Sequence, residues 1–185
     1  MKNLDRTVVW RALNVTGTEQ CTLSSERNGW RLAGLALREV DGVPAQASYT
    51  VYCDEAWQTR EAVVELRADT TQRYLRLLAR DGRWYGERGR ELAALRGCLD
   101  VDIGFTPATN TLPIRRLDLA VGQSAEVTAA WVRFPEFTVE PLAQTYTRLD
   151  ERRYRYESAT GFVAEITVDD VGLVLRYEGG WERVD

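Results

Sequence analysis

The sequence contains no histidine, and this absence excludes several kinds of catalytic and metal site. Ser-His-Asp and Cys-His nucleophilic sites, the HExxH metalloprotease motif and imidazole ligands for zinc all require histidine. Cysteine is scarce too: Cys21, Cys53 and Cys98 are widely spaced and form no CxxC pair. We therefore expect reduced, mostly buried thiols, with neither a disulfide framework nor a zinc knuckle. The sequence also lacks a glycine-rich phosphate loop and a dinucleotide-binding fingerprint, so we expect no cofactor.

Lysine and long apolar runs are also rare. Lys2 is the single lysine among 24 basic residues, so one arginine is weak evidence of function in this chain. A net charge of -4 and a pI near 5.1 argue against a nucleic-acid partner. No apolar run approaches the length of a membrane span, and the N-terminus lacks the apolar region of a signal peptide. The sequence therefore predicts an acidic cytoplasmic protein without integral membrane contact.

Strand patterns dominate the chain, and its 185 residues fit a single domain over 1–185. Period-2 alternation rich in Val, Thr, Tyr and Trp marks nine segments: 46–53, 59–68, 72–80, 99–104, 124–134, 142–150, 152–158, 162–169 and 172–178. Short links with Asp or Gly between them are typical of hairpins. Helix signal is limited to residues 90–97, which end at a glycine. The predicted fold is mainly β, an antiparallel meander with little helix.

A sheet of this size cannot stay flat. Strand twist accumulates, so an open sheet of nine or more strands curls, splits or closes. Curled antiparallel sheets commonly hold one ligand on the concave face. We therefore expect a binding site in the concavity.

The segment "LDVDIG" is the first candidate for that site. Alternation places Asp100 and Asp102 on one face of a strand, with their Cα atoms about 6.5 to 7 Å apart. Two carboxylates at this spacing could accept hydrogen bonds from sugar hydroxyls, act as acid and base on a glycoside, or hold a metal ion. The alternatives are a solvated strand face or ion pairs with Arg115 and Arg116.

A stiff polar loop follows in "FTPATNTLP". Pro107 and Pro113 restrict its backbone, while Thr106, Thr109 and Asn110 offer short donors and acceptors. Fixed polar groups suit recognition of a polyhydroxylated or anionic headgroup. Hydrogen bonds to the loop's own backbone are the alternative explanation of the same composition.

Arginine and tryptophan residues complete the candidate set. In "IRRLDL" an extended chain places Arg115 and Arg116 on opposite faces, so at most one faces the aspartates. A guanidinium group matches carboxylate or phosphate with two parallel hydrogen bonds. Trp57 and Arg60 lie at a corner between strands, where a corner salt bridge is the alternative reading. Trp131 could provide a stacking surface for a sugar ring, although core packing is the commoner role of a strand tryptophan.

Several segments together resemble a bacterial family described as putative glycolipid-binding. They are "YCDEAWQTR", "GCLDVDIGFTPATNTLPIRRL", "AEVTAAWVRFPEF", "YRYES" and "GLVLRYEGGW". The resemblance implies a single antiparallel sheet wrapped into an incomplete, half β-barrel, similar to the fold of bacterial lipoprotein carriers, with a cavity for a lipid-like ligand. It also implies that the residues matching the family pattern are candidate ligand contacts: Asp100, Asp102, Thr106, Thr109, Asn110, Arg115 and Arg116.

The leading hypothesis is a non-enzymatic protein that binds an amphipathic ligand, such as a glycolipid, in the concave face. Its tail would lie against Trp, Leu and Val side chains, and the "DVD" and "TPATN" groups would hold the headgroup. One alternative is a carboxylate-dependent hydrolase that uses Asp100 and Asp102. Another is an interaction module that recruits a protein or forms a homo-oligomer through an exposed sheet edge.

Overall fold

A computed structural model describes residues 4–40 and 42–185. Its described residues form one sheet of fourteen strands. The strands are β1 (Asp5–Ala12), β2 (Gly17–Glu26), β3 (Gly29–Val40), β4 (Val43–Cys53), β5 (Thr59–Ala68), β6 (Thr71–Arg80), β7 (Arg83–Tyr85), β8 (Asp100–Ile103), β9 (Ser124–Val132), β10 (Val139–Arg148), β11 (Arg153–Ser158), β12 (Val163–Val168), β13 (Val174–Tyr177) and β14 (Trp181–Arg183). Within the described residues, one α-helix, α1 (Thr111–Leu117), and short 3₁₀ turns at Glu87–Gly89, Ala93–Leu95 and Ala108–Asn110 accompany the sheet.

The sheet is a meander whose two chain ends meet in its middle. The strand order is β7-β6-β5-β4-β3-β2-β1-β14-β13-β12-β11-β10-β9-β8, and the sheet does not close into a barrel. Neighbours are antiparallel except β8 and β9, which are parallel. Parallel neighbours need a crossover connection, and residues 104–123, which contain α1, provide it. The predicted large curled sheet is confirmed, with this one parallel pair as a departure.

The nine predicted strand segments correspond to β4–β6 and β8–β13. Strands β1–β3, β7 and β14 lie outside those segments. The predicted helix at 90–97 is wrong, because this stretch contains only the 3₁₀ turn Ala93–Leu95. Leu95 fills the core from that turn, and the Trp84 carbonyl oxygen accepts a hydrogen bond from the Leu92 amide.

The reading of residues 111–117 as loop and extended chain is also wrong, because they form α1. Pro113 is compatible with this helix because it lies in the first turn, where its missing amide proton has no intrahelical acceptor. Leu112 and Ile114 are buried, and the Thr111 hydroxyl donates to the Gly172 carbonyl oxygen at 3.0 Å. Tertiary burial of these side chains therefore outweighs the weak local helix signal.

The sheet curls until its β8 end meets the beginning of β5. The Thr59 amide donates to the Leu99 carbonyl oxygen at 2.9 Å, and the Val101 amide donates to the Thr59 hydroxyl at 3.1 Å. The beginning of β5 thus bonds to the edge of β8, and β8 carries buried side chains on both faces. Val101 and Ile103 are buried on one face, and Asp100 is buried on the other.

Large side chains fill much of the concave face. Trp10, Trp84 and Phe105 are at most 1% exposed. The two indole nitrogens donate to backbone carbonyls, Trp10 to Val174 at 2.7 Å and Trp84 to Cys98 at 2.8 Å. The three cysteines are free and buried. The core is therefore formed by the protein's own aromatic and aliphatic groups, and open space lies toward one end of the sheet.

Candidate functional site

A cleft of about 320 Å³ opens at the end of the curled sheet where β8 ends and the β1–β2 and β13–β14 turns lie. Four predicted site residues line it, namely Asp102, Thr106, Asn110 and Trp131. Leu142 and Trp181 add apolar surface. The structure thus brings part of the central motif to an open cavity, at the lower end of the volume range of small-molecule sites.

Asp102 provides the charge in this cleft. Its carboxylate accepts a hydrogen bond from Gln144 Nε2 at 2.6 Å and a longer one from Thr109 Oγ1 at 3.4 Å. Burial raises the pKa of Asp102 to about 6, against the lowering effect of these two donors. The side chain is half-buried, so a ligand in the cleft can reach a carboxylate that is ionised at neutral pH.

The polar residues that follow β8 hold the segment in place. The Asn110 Oδ1 atom accepts from Tyr146 Oη at 2.9 Å, and its Nδ2 atom donates to the Pro107 carbonyl oxygen at 3.0 Å. The Thr109 hydroxyl accepts from the Ile103 amide at 3.3 Å. These bonds match the alternative reading of the loop composition, in which its polar groups serve the backbone. They also fix the directions of the groups that line the cleft.

Asp100 lies outside the cleft. Its carboxylate accepts two hydrogen bonds from Arg116, from Nε at 3.0 Å and from Nη2 at 2.6 Å. The pair joins β8 to α1, and Asp100 is 1% exposed. Adjacent carboxylates of one strand therefore have different environments, since Asp100 faces a guanidinium and Asp102 faces an amide and a hydroxyl.

The remaining predicted residues lie elsewhere. Trp57 is buried and stacks on Trp30, with ring centroids 4.5 Å apart, and the Arg115 guanidinium lies 5.3 Å from a Trp57 ring centroid. Arg60 pairs with Asp54 near the exposed surface, which is the predicted corner salt bridge. Trp57, Arg60 and Arg115 are therefore not part of the cleft lining.

Aromatic side chains that were not among the predicted contacts form one wall of the cleft. Tyr156 and Tyr177 have ring centroids 6.3 Å apart, and Phe162 stacks on Tyr177 at 6.1 Å with an interplanar angle of 21°. The segments "YRYES" and "GLVLRYEGGW" contain the two tyrosines. Their alternation indicated which residues share a face, but local sequence did not indicate that this face lines an open cleft.

A second polar cluster is buried beneath the cleft. Glu19 is 0% exposed, and its Oε1 atom accepts from Tyr49 Oη and Thr106 Oγ1, both at 2.6 Å. Within the described residues, Glu19 Oε2 and Arg38 Nε have no hydrogen-bond partner. Burial raises the pKa of Glu19 to about 7, while the two hydroxyl donors and nearby Arg38 act in the opposite direction. Thr106 thus connects the cleft lining to a buried carboxyl group.

Two further features bear on the kind of site. Within residues 4–40 and 42–185, no three Cys, Asp or Glu side chains come together in an arrangement that could hold a metal ion. None of the helices in that part of the chain has the length and apolar character needed to cross a membrane.

Comparison with known proteins places these observations in a family. A family model described as putative glycolipid-binding matches residues 7–183. The chain belongs to this family. The resemblance predicted from the motifs is therefore confirmed. A search of curated proteins gave no match.

Two solved structures are similar to this member of the putative glycolipid-binding family. A DUF1089 family protein from Pseudomonas aeruginosa, solved by crystallography, is 39% identical, with 95% of each chain covered and a TM-score of 0.81. A beta-barrel-like protein of the domain of unknown function DUF1849 from Brucella abortus is 12% identical, with 98% of each chain covered and a TM-score of 0.51. The second likeness concerns the fold alone.

Proposed function

We propose that this protein binds an amphipathic ligand of the glycolipid class, with its polar headgroup in the cleft, and does not transform it. The observation that carries this proposal is the composition of the cleft. Asp102, Thr106 and Asn110 provide a polar floor, and Tyr156 and Tyr177 provide an apolar wall. A site with a few fixed polar groups beside aromatic surface suits a molecule that is partly hydroxylated and partly apolar. Membership of the family supports the same ligand class.

The position of Asp100 favours binding over hydrolysis. A glycosidase of the usual kind needs two carboxyl groups that flank the scissile bond. Asp100 is buried and bonded to Arg116 through two hydrogen bonds, so Asp102 is the carboxylate that a ligand in the cleft would meet. A single carboxylate can accept hydrogen bonds from hydroxyl groups, whereas the acid and base roles require a second group. The cytoplasmic location expected from the sequence stays a prediction, and the homo-oligomer stays an alternative that no observation tests.

The proposal can be tested by filling the cleft. Ser158 lines it, and its hydroxyl lies 2.7 Å from the Thr160 hydroxyl. Ser158→Phe should occlude the cavity. Ser124→Phe is the matched control, because Ser124 is exposed outside the cleft and has the same kind of hydroxyl contact, with Thr147 at 2.7 Å.

The affinity of each variant is measured by isothermal titration calorimetry. The ligands are the octyl glycosides of glucose, galactose and mannose, each below its critical micelle concentration. We expect binding to the wild type and to Ser124→Phe, and a loss of at least tenfold in affinity, about 1.4 kcal/mol, in Ser158→Phe. Equal affinity for all three proteins would place binding outside the cleft. No heat with any glycoside, together with no retained lipid in native mass spectra of protein from its own host, would overturn the proposal.

A further inference from the structure

We infer that the cleft selects an uncharged sugar ring as headgroup, excludes anionic headgroups, and leaves the alkyl chain of the ligand outside it. This inference deepens the proposed function and rests on it. It concerns which amphiphiles bind, and it is carried by the charge, shape and size of the cleft.

The charged group in the cleft lining is negative. Of the described residues that line it, Asp102 is the one with a formal charge, so the lining offers no arginine or lysine to an anion. The two groups that donate to Asp102, Gln144 and Thr109, are neutral. A phosphate or carboxylate placed here would meet a like charge in a partly desolvated site, where repulsion is stronger than in water.

Nearby titratable groups do not reverse this balance. They are Asp100 on the same strand, Tyr146, Tyr156 and Tyr177 on the facing strands, and the buried Glu19 with its neighbour Arg38 behind Thr106. The Arg133 guanidinium lies 5.3 Å from the ring centroid of Trp131, is not part of the lining, and pairs with Glu140 at 3.7 Å. Arg116 donates two hydrogen bonds to the Asp100 carboxylate, so its charge is paired with that group. The pKa of Asp102, raised to about 6, still leaves it ionised at neutral pH. The sequence-based expectation that Arg115 or Arg116 would receive an anionic headgroup therefore finds no support in the lining.

The shape of the cleft suits a sugar ring. A pyranose has an apolar face of C–H groups and a rim of hydroxyls. The wall formed by Tyr156, Phe162 and Tyr177 can cover such a face, and Asp102 can accept hydrogen bonds from the rim. Hydrogen bonds to an ionised acceptor are stronger than those to a neutral one, so Asp102 favours a headgroup rich in hydroxyl donors over one that carries a negative charge.

The size of the cleft limits what else it can hold. Its volume of about 320 Å³ accommodates a ring-sized group, whereas large side chains such as Trp10 and Phe105 occupy the space beneath the sheet. A long alkyl chain must therefore leave through the mouth. Phe162 is 47% exposed and lines the cleft, and its neighbour Val163 is 50% exposed. These two side chains offer an apolar surface at the exit.

The experiment compares three amphiphiles with the same alkyl chain at neutral pH. The probes are n-octyl β-D-glucopyranoside, n-octyl β-D-glucuronide, in which the C6 hydroxymethyl is a carboxylate, and tetraethylene glycol monooctyl ether, which has no sugar. Calorimetric titration is carried out on the wild type, Asp102→Asn and Asp81→Asn. Asp81 is an exposed turn residue with φ 51°, where asparagine is equally well accommodated, so it controls for the change in net charge.

We expect the wild type and Asp81→Asn to bind the glucoside at least about tenfold more tightly than the glucuronide or the ether. In Asp102→Asn, affinity for the glucoside should fall about fivefold, and affinity for the glucuronide should rise by a similar factor. Opposite changes cannot result from damage to the fold, because a misfolded cleft would weaken both.

Other outcomes distinguish the inferred headgroup selectivity from the proposed binding of amphiphiles. Equal binding of glucoside and glucuronide, or parallel changes in Asp102→Asn, would overturn the selectivity while leaving amphiphile binding intact. Equal affinity for the ether and the glucoside would show that the protein recognises the alkyl chain and not the sugar. This result would also overturn the inferred selectivity. Failure of all three probes to bind would contradict the proposed function itself.

Discussion

Replacement of Glu19 by glutamine should remove a large part of the pH dependence of stability between about pH 5 and pH 8. Glu19 is 0% exposed, and one of its oxygens accepts from Tyr49 and Thr106. Burial raises its pKa from an ordinary value of 4.5 to about 7. The folded protein therefore holds a proton on Glu19 over a range in which the unfolded chain has released it.

The sign follows from proton binding. Because the folded state binds more protons in this window, its free energy of unfolding falls as the pH rises. The stabilising contribution is complete below the unfolded pKa and is lost as the pH passes through the folded pKa. The displacement from 4.5 to about 7 corresponds to roughly 3 to 4 kcal/mol in total, of which about three quarters falls between pH 5 and pH 8.

Urea denaturation at closely spaced pH values measures this slope. Asp102 contributes in the same direction, since its pKa is raised to about 6, so the informative quantity is the difference between the wild type and Glu19→Gln. Glutamine keeps an oxygen for the two hydroxyl donors but cannot titrate. The matched control, Glu87→Gln, removes an exposed carboxylate and should keep the wild-type slope. Identical slopes for the wild type and Glu19→Gln would show that Glu19 is ionised throughout, stabilised by Arg38, and would refute the reasoning.

Two further predictions concern buried contacts outside the cleft lining. Asp100→Asn leaves Arg116 without its carboxylate partner and should lower the free energy of unfolding, measured by urea denaturation, by about 3 to 5 kcal/mol. Replacing both partners, with Asp100→Leu and Arg116→Met, should recover much of this loss. A loss below about 1 kcal/mol for Asp100→Asn alone would contradict a buried ion pair. Gly34→Ala places a Cβ atom 2.4 Å from Tyr49 Oη and should lower the free energy of unfolding by about 1 to 3 kcal/mol. The control is Gly86→Ala, whose Cβ atom would meet Leu92 at an ordinary 3.7 Å and should lower it less. Equal losses in the two variants would argue against the close contact with Tyr49.

Much of the fold could be predicted because strand alternation is a local property. In β4, for example, Ala45, Ala47, Tyr49 and Val51 are buried in alternation, as the sequence pattern indicates. The helix α1 could not be predicted in the same way. Its seven residues contain a proline and two adjacent arginines, and its stability comes from burying Leu112 and Ile114 beneath the sheet.

The candidate site was predicted in part. The central motif pointed to Asp102, Thr106 and Asn110, which line the cleft, whereas Trp57 and Arg60 do not. That these residues contact a ligand stays a prediction. Glu19 was missed because β2 was not among the predicted strand segments. Its alternation with Cys21 and Leu23 would have shown that it faces inward, but not which polar groups from distant segments it meets.

Residue order along the chain was sufficient for the mainly β class, for the curl that twist imposes on so long a sheet, and for the family. The different roles of Asp100 and Asp102 depended on the assembled structure. The two have the same residue type, strand and expected face, yet Arg116 from α1 pairs with one and Gln144 from β10 contacts the other. Burial and electrostatic partners come from segments distant in sequence, so chemistry that depends on them arises when the sheet curls and α1 packs against it.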